Sequence, residues 1–135
     1  MKLFKIMKTI FSNTDAIHED WNVLKQPTQL EQVIEASKNK PQFLYKHSHT
    51  CSICHVAKEE IEEQFDAIKA KADMHFVNVI KSRPVSDAIA EELDVRHESP
   101  QALIIDMGEC VWHKSHWSIK ADAILDALAK TDHKF

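Results

Sequence analysis

The sequence predicts an α/β fold, because segments with the hydrophobic spacing of strands alternate with segments that have the spacing of a helix. Residues 42–47 form a short apolar run typical of a buried strand. Residues 74–80 are almost continuously apolar, as expected for a strand that is covered on both faces. Between these two runs, apolar side chains recur at spacings of three and four, at Ala57, Ile61, Phe65, Ile68 and Ala72.

The other elements complete the order β-α-β-α-β-α-β-β-α. They are a strand at 21–24, a helix opened by Pro27, a short helix begun by Pro84, strands at 102–106 and 110–116 joined by a turn at 107–109, and a last helix. We expect the helix after residue 50 to run to about Ala72. We expect Ser118 to be the N-cap of the last helix.

Size and composition favour one domain without nucleic-acid or phosphate-loop chemistry. The chain has 135 residues, and we divide it into an N-terminal extension at 1–20 and a domain at 21–135. A net charge of −4 does not favour nucleic acid as a partner. The only glycine is Gly108, so a glycine-rich phosphate loop is excluded.

The N-terminus and the cysteine count indicate a cytoplasmic protein. Lysines interrupt the apolar residues of segment 1–11, so we expect neither a signal peptide nor an integral membrane segment. On a helix, this segment would have one apolar face, which we expect to rest loosely on its own domain. Three cysteines do not form the even set of a secreted disulfide framework.

Cys51 is the candidate nucleophile, and it follows the strand at 42–47 directly. It lies at the predicted start of a helix, where unpaired N–H groups and the helix dipole favour thiolate over thiol. Cys54 lies one turn further on. It either resolves a mixed disulfide formed at Cys51 or is buried on the inner face of the helix. Cys110, on a predicted hairpin strand, is expected to be a core residue.

Two other chemistries compete for the same residues. The run Cys51-Ser52-Ile53-Cys54-His55 satisfies the pattern for covalent haem attachment, which normally requires export. A zinc or iron–sulfur site could draw on His47, His49 and His55 with the two cysteines. We predict no metal, because a lone cysteine pair supplies only half of a tetrahedral site.

The element order, the cysteines after the second strand and Ser99-Pro100 before a later strand together resemble the thioredoxin fold. The resemblance implies a three-layer structure with a mixed central sheet flanked by helices. It also implies a cis Pro100 that faces the reactive cysteine and exposes backbone for pairing with a substrate. Pro100, Ser99 and Thr50 are therefore the expected substrate-binding residues.

Three separated motifs are similar to those of the monothiol bacilliredoxins. They are Lys46-His47-Ser48 with Thr50-Cys51 and Ile53, the run Val95-Arg96-His97-Glu98-Ser99-Pro100-Gln101, and the run Val111-Trp112-His113-Lys114-Ser115-His116-Trp117. The resemblance implies an oxidoreductase that removes bacillithiol from S-bacillithiolated proteins through a mixed disulfide at Cys51. Bacillithiol is then the co-substrate, and no cofactor is bound. Ser52 and Cys54 depart from the family pattern as proline and serine are usual there.

Because Cys54 restores a dithiol, two further hypotheses stay open: a general thioredoxin-like disulfide reductase, and a non-catalytic module that senses redox state or binds metal. We expect the side chains of His97, His113 and His116 to bond backbone groups. We expect Trp112 and Trp117 to be packing residues.

Overall fold

The computed structural model describes residues 16–131. The amphipathic segment within residues 1–11 therefore lies outside the described residues. The elements are β1 (Asn22–Val23), α1 (Pro27–Ala36), β2 (Gln42–His47), α2 (Ser52–Glu63), α3 (Phe65–Lys69), β3 (Asp73–Asn78), α4 (Arg83–Leu93), β4 (Gln101–Asp106), β5 (Glu109–Ser115), a 3-10 turn (His116–Ser118) and α5 (Ala121–Ala129).

The strands form one mixed sheet in the order β1-β3-β2-β4-β5. β1 and β2 each run parallel to β3, whereas β4 is antiparallel to both β2 and β5. The carboxyl ends of β1, β2 and β3 consequently meet at one edge of the sheet, and the turn that carries Cys51 follows β2 at that edge.

Helices cover both faces of the sheet, which confirms the predicted three-layer α/β class. Alternation along β2 sends Phe43 and Tyr45 to one face and Leu44 to the other. The first face is covered by α2, α3 and α5, and the second by α1 and α4. Burial of these two apolar layers is the main favourable term in the folding of such a domain.

Two predicted helix boundaries are wrong. The helix after Cys51 ends at Glu63 and a separate α3 follows, because Gln64 leaves helical geometry with φ −117° and ψ 27°. The apolar spacing does not indicate this break, because Ile61, Phe65 and Ile68 are buried on both sides of it. Ser118 does not cap α5.

Glu60 of α2 supplies the contact that was expected of Ser118. The last helix begins at Ala121 after Lys120, whose side chain makes no capping bond. The backbone N–H of Ala121 donates to the Glu60 carboxylate at 3.1 Å. A carboxylate at this position satisfies a free N–H and also favours the helix dipole.

The β4–β5 hairpin forms through the predicted turn. Met107 and Gly108 have φ values of 53° and 84°, so both lie in the left-handed region. Positive φ at both central residues matches the right-handed twist of the two strands. Cys110, which we expected in the core, is only half-buried beside the second apolar layer.

Residues 16–20 lie against α2 and α3. The His18 ring stacks on Phe65 with centroids 3.9 Å apart, and its backbone N–H donates to Glu62 at 2.8 Å. The buried Lys58 amine donates to the carbonyl oxygen of Ala16. Across residues 16–131, no helix has both the length and the apolar character needed to cross a membrane.

Candidate active site at the Cys51–Cys54 turn

Cys51 is the N-cap of α2, with extended backbone at φ −112° and ψ 120°. Its N–H donates to the carbonyl oxygen of Ser48 at 3.2 Å, and its own carbonyl accepts the N–H of His55 at 3.4 Å. The side chain is partly exposed. Cys51 is therefore held in a fixed turn and remains open to a reaction partner.

The surroundings of Cys51 favour its thiolate. Burial opposes ionisation, but the N–H groups of Cys54 and Ile53 and the thiol of Cys54 donate to the Cys51 sulfur, and together they hold its pKa below the usual value. The two N–H groups belong to the unpaired backbone donors of the first helical turn. A lowered pKa and partial exposure are the two properties of a reactive cysteine.

Cys54 has the opposite character. Its side chain is fully buried, and burial raises the pKa of its thiol to about 11. Negative charge on Cys51 raises that pKa further, whereas the Ser48 backbone and the Ser99 hydroxyl lower it. Cys51 is therefore the cysteine of the pair that ionises more readily, and Cys54 is the one that keeps its proton.

The Ser99–Pro100 peptide bond is cis, as the resemblance to thioredoxins implied. It brings Ser99 next to Cys54, with Oγ 3.6 Å from the cysteine sulfur. Pro100 itself is buried, and its carbonyl oxygen accepts the N–H of His116 at 3.1 Å. Thr50 is exposed on the other side of Cys51 and shares a 3.0 Å hydrogen bond with Ser48.

A buried lysine fixes the loop that leads to the cis proline. Lys46 is fully buried on the face of β2 that also carries Leu44. Its amine lies 2.7 Å from Nδ1 of His97 and donates to the Gln101 side chain at 3.0 Å. Burial lowers the pKa of Lys46 to about 8. Strand β2 therefore holds both the Cys51 turn at its end and the proline loop at its side.

Tyr45 supports the cysteine turn from the opposite face of β2. Its hydroxyl donates to the carbonyl oxygen of Cys54 at 2.7 Å and lies 3.1 Å from Nδ1 of His47. Burial, with the negative charge of the cysteines, raises the pKa of Tyr45 far above its usual value. The hydroxyl therefore stays protonated and remains a hydrogen-bond donor.

A third loop borders the site at the end of β5. His116 has φ 54°, and its Nδ1 lies 3.3 Å from the Glu98 carboxylate. His97 and His116 thus differ from our expectation, because their rings contact side chains. Trp112 is partly buried against the first apolar layer, but Trp117 is 61 % exposed and is not a packing residue.

The comparisons with known proteins agree with this geometry. A family model described as monothiol bacilliredoxin BrxC matches residues 22–124. The chain belongs to the monothiol bacilliredoxin family. With the thioredoxin-fold relatives described next, family membership supports a thiol redox enzyme at this general level, and the partly exposed Cys51 at the start of α2 fits that chemistry.

Solved structures place this bacilliredoxin family member in the thioredoxin fold. A protein described provisionally as an oxidoreductase with a thioredoxin fold is 34 % identical, with a TM-score of 0.71 over 82 % of this chain and 95 % of that one. Thioredoxin of Fasciola hepatica is 18 % identical, with a TM-score of 0.65 over 84 % and 99 %. A mutant thioredoxin from Halobacterium salinarum is 17 % identical, with a TM-score of 0.65 over 89 % and 97 %.

The metal and haem alternatives find no support in the geometry of this bacilliredoxin. Among residues 16–131, no group of three His, Cys, Asp or Glu side chains could hold a metal ion. Cys54 has no exposed surface, and Nε2 of His55 is within 3.0 Å of the His49 carbonyl oxygen. This arrangement does not fit haem attachment through both sulfurs with His55 as the iron ligand.

Sequence reasoning did not find the supporting roles of Tyr45 and Lys46, and it named Ser99 for substrate binding without its contact with Cys54. Alternation along β2 was the available signal, since it places the Tyr45 and Lys46 side chains on opposite faces. It could not show that one hydroxyl reaches Cys54 and one amine reaches the proline loop. Those contacts join residues up to 55 positions apart.

Proposed function

We propose that this protein removes bacillithiol from S-bacillithiolated proteins in the cytoplasm. The Cys51 thiolate attacks the bacillithiol sulfur of a protein–bacillithiol disulfide. A disulfide forms between Cys51 and bacillithiol, the original disulfide breaks, and the client cysteine leaves as a thiolate that takes up a proton. No net oxidation occurs in this exchange, because one disulfide replaces another.

The contrast between a partly exposed Cys51 at the start of α2 and a fully buried Cys54 is the observation that supports this proposal. Attack requires a thiolate, and the lowered pKa of Cys51 favours its formation at the partly exposed position. Cys54 is protonated and buried, so it does not compete for the client. The free backbone near the cis proline suits a client chain, because no hydrogen bond to the Ser99 backbone occurs among the described residues.

Cys54 then releases bacillithiol by attacking the sulfur of Cys51. The adduct removes the negative charge from Cys51, and that charge is one of the causes that raise the pKa of Cys54. Formation of the adduct therefore eases ionisation of Cys54. The attack forms a Cys51–Cys54 disulfide and releases bacillithiol as a thiolate. Two further thiol equivalents, from bacillithiol or a reductase, return the pair to the reduced state.

Intact-protein mass spectrometry tests this mechanism. Reduced wild type and the Cys54→Ser variant are incubated with a bacillithiolated protein, and the masses of both partners are followed. We expect the variant to accumulate one bacillithiol on Cys51, and the wild type to lose the mass of two hydrogens instead. The Cys51→Ser variant is the matched control and should leave the client bacillithiolated.

Two outcomes would contradict the proposal. Removal of bacillithiol by the Cys51→Ser variant would show that another group is the nucleophile. Failure of wild type with bacillithiolated clients, together with rapid reduction of ordinary protein disulfides, would favour a general thioredoxin-like reductase. A persistent adduct on wild type would contradict only the role of Cys54. Release would then depend on a second bacillithiol.

A further inference from the structure

A cavity of about 310 Å³ lies beside the Cys51 turn, on the side away from the cis proline. It opens outside the carboxyl ends of the three parallel strands, where open α/β sheets commonly bind ligands. Its volume falls at the lower end of the range for small-molecule sites, which is about 300–1,000 Å³. The lining residues are Ile17, Val23, Lys25, His47, His49, Phe76, Asn78 and Lys81.

The charged side chains that line this cavity are both positive. Lys25 and Lys81 line it and no acidic residue does. Both lysines are exposed, and neither forms an ion pair within residues 16–131. The Asn78 side chain accepts the N–H of Lys81 at 2.9 Å, which fixes the backbone at this rim. Two unpaired cations over an apolar floor favour an anionic ligand.

One lining residue brings the cavity close to the candidate nucleophile. His49 lines the cavity and is partly buried. His49 precedes Cys51 by two residues, which places their Cα atoms no more than about 7 Å apart.

The other cavities lack this charge pattern. The larger one, of about 490 Å³ between β5 and α5, is lined by acidic and basic residues together, and its Lys130 and Asp126 already form an ion pair at 3.3 Å. A smaller one, of about 140 Å³, is lined by Glu62, Glu63 and Asp66. Of these three cavities, only the one lined by His49, two residues before Cys51, has lysines and no acidic residue in its lining.

We infer that this cavity binds the carboxylate-bearing end of the low-molecular-weight thiol while its sulfur reacts with Cys51. The inference rests on the proposed function. Bacillithiol joins cysteine to glucosamine and malate, so its carboxylates lie at the end remote from the sulfur. Lys25 and Lys81 hold those carboxylates at the rim of the cavity. The cavity therefore selects an anionic small thiol over a neutral one.

The test measures the rate of adduct formation at Cys51 in a Cys54→Ser background. Three forms are compared: the background itself, the same protein with Lys25→Gln and Lys81→Gln, and a control with Lys69→Gln and Lys71→Gln. The control removes the same charge, but its lysines precede β3 at the opposite end of the sheet. Each form reacts with oxidised bacillithiol, with a bacillithiolated protein, and with 2-hydroxyethyl disulfide, which is neutral.

We expect the Lys25→Gln, Lys81→Gln form to react about tenfold more slowly with oxidised bacillithiol, the loss typical of two partly exposed ionic contacts. Its rate with the neutral disulfide, and both rates of the control, should match the background. Added salt should slow the background reaction with bacillithiol and leave the lysine variant almost unaffected. Unchanged thermal unfolding would show that all three forms are folded.

Three results would overturn the inference. Equal slowing with both disulfides would mean that the lysines act on Cys51 itself. Slowing only with a bacillithiolated protein, and not with oxidised bacillithiol, would assign the lysines to an acidic client surface. No slowing at all would show that the two lysines of this cavity do not bind bacillithiol. If the background form takes up no bacillithiol, the proposed function fails first, so the two failures are distinguishable.

Discussion

The sulfur of Cys54 lies 3.6 Å from the hydroxyl oxygen of Ser99, the residue that precedes the cis proline. This contact links the buried cysteine of α2 to the loop that we expect to bind the client. The hydroxyl also lowers the pKa of Cys54 against the larger effect of burial. Ser99 is therefore placed to assist the second step, in which Cys54 must lose its proton.

Ser99→Ala should slow the release of bacillithiol without slowing its uptake. Loss of one hydrogen bond to the developing thiolate is worth about tenfold in rate. We expect the Cys51 adduct to form at the wild-type rate and then to persist longer, as stopped reactions analysed by mass spectrometry would show. Ser99→Thr keeps the hydroxyl and should restore release. Equal slowing of both steps would contradict this role.

The pKa of Cys51 should depend on the hydrogen that Cys54 donates. Cys54→Ala removes that donor, so the pKa of Cys51 should rise, whereas Cys54→Ser keeps a donor and should change it less. The pH dependence of alkylation by iodoacetamide measures both values. The N–H groups of Ile53 and Cys54 remain in each variant, so the pKa should stay below the usual value for cysteine. Identical profiles in all forms would show that the Cys54 thiol contributes nothing.

Tyr45→Phe should destabilise the fold without slowing adduct formation at Cys51. The variant removes the 2.7 Å hydrogen bond to the Cys54 carbonyl, and a typical hydrogen bond contributes about 0.5–1.5 kcal/mol. Urea unfolding should show this loss, while adduct formation at Cys51 continues at a similar rate. If the free energy of unfolding of the variant equals that of wild type, a water molecule has replaced the hydroxyl.

Lys46→Met should change how stability depends on pH. Burial lowers the pKa of Lys46 from 10.5 to about 8, so between these values the unfolded chain binds more protons than the folded one. The stability of wild type therefore gains from this group as pH rises through that window, and the full penalty is present below it. The shift corresponds to a penalty on the order of 3 kcal/mol.

The measurement is the difference in free energy of unfolding between Lys46→Met and wild type at several pH values. That difference should be most favourable to the variant near pH 7 and should shrink by pH 10. The variant also loses the bonds to His97 and Gln101, which lowers its stability at every pH. The change of the free-energy difference with pH is therefore more informative than its value at one pH. A difference that is constant with pH would show that Lys46 is not desolvated.

The sequence predicted the parts of this protein that depend on local pattern. The strand before Cys51, the helix that starts after it, the cis Ser99–Pro100 bond and the turn at Gly108 all follow from short motifs or from a family resemblance. The break at Gln64 did not follow, since the buried spacing of Ile61, Phe65 and Ile68 continues across it. The cap from Glu60 did not follow either, since Glu60 and Ala121 lie 61 positions apart. For the same reason Lys46 was not recognised as an anchor of the proline loop.

Both margins of the sheet are protected against pairing with other strands. At one margin β1 has only two residues. At the other, the register of β5 shifts between Ile104 and Ile105 of its neighbour, and the strand exposes Glu109, His113 and Lys114. Short, bulged or charged edge strands are poor templates for edge-to-edge aggregation. The sheet can therefore meet partly unfolded chains without recruiting them into β-structure, and contact is left to the loops around Cys51.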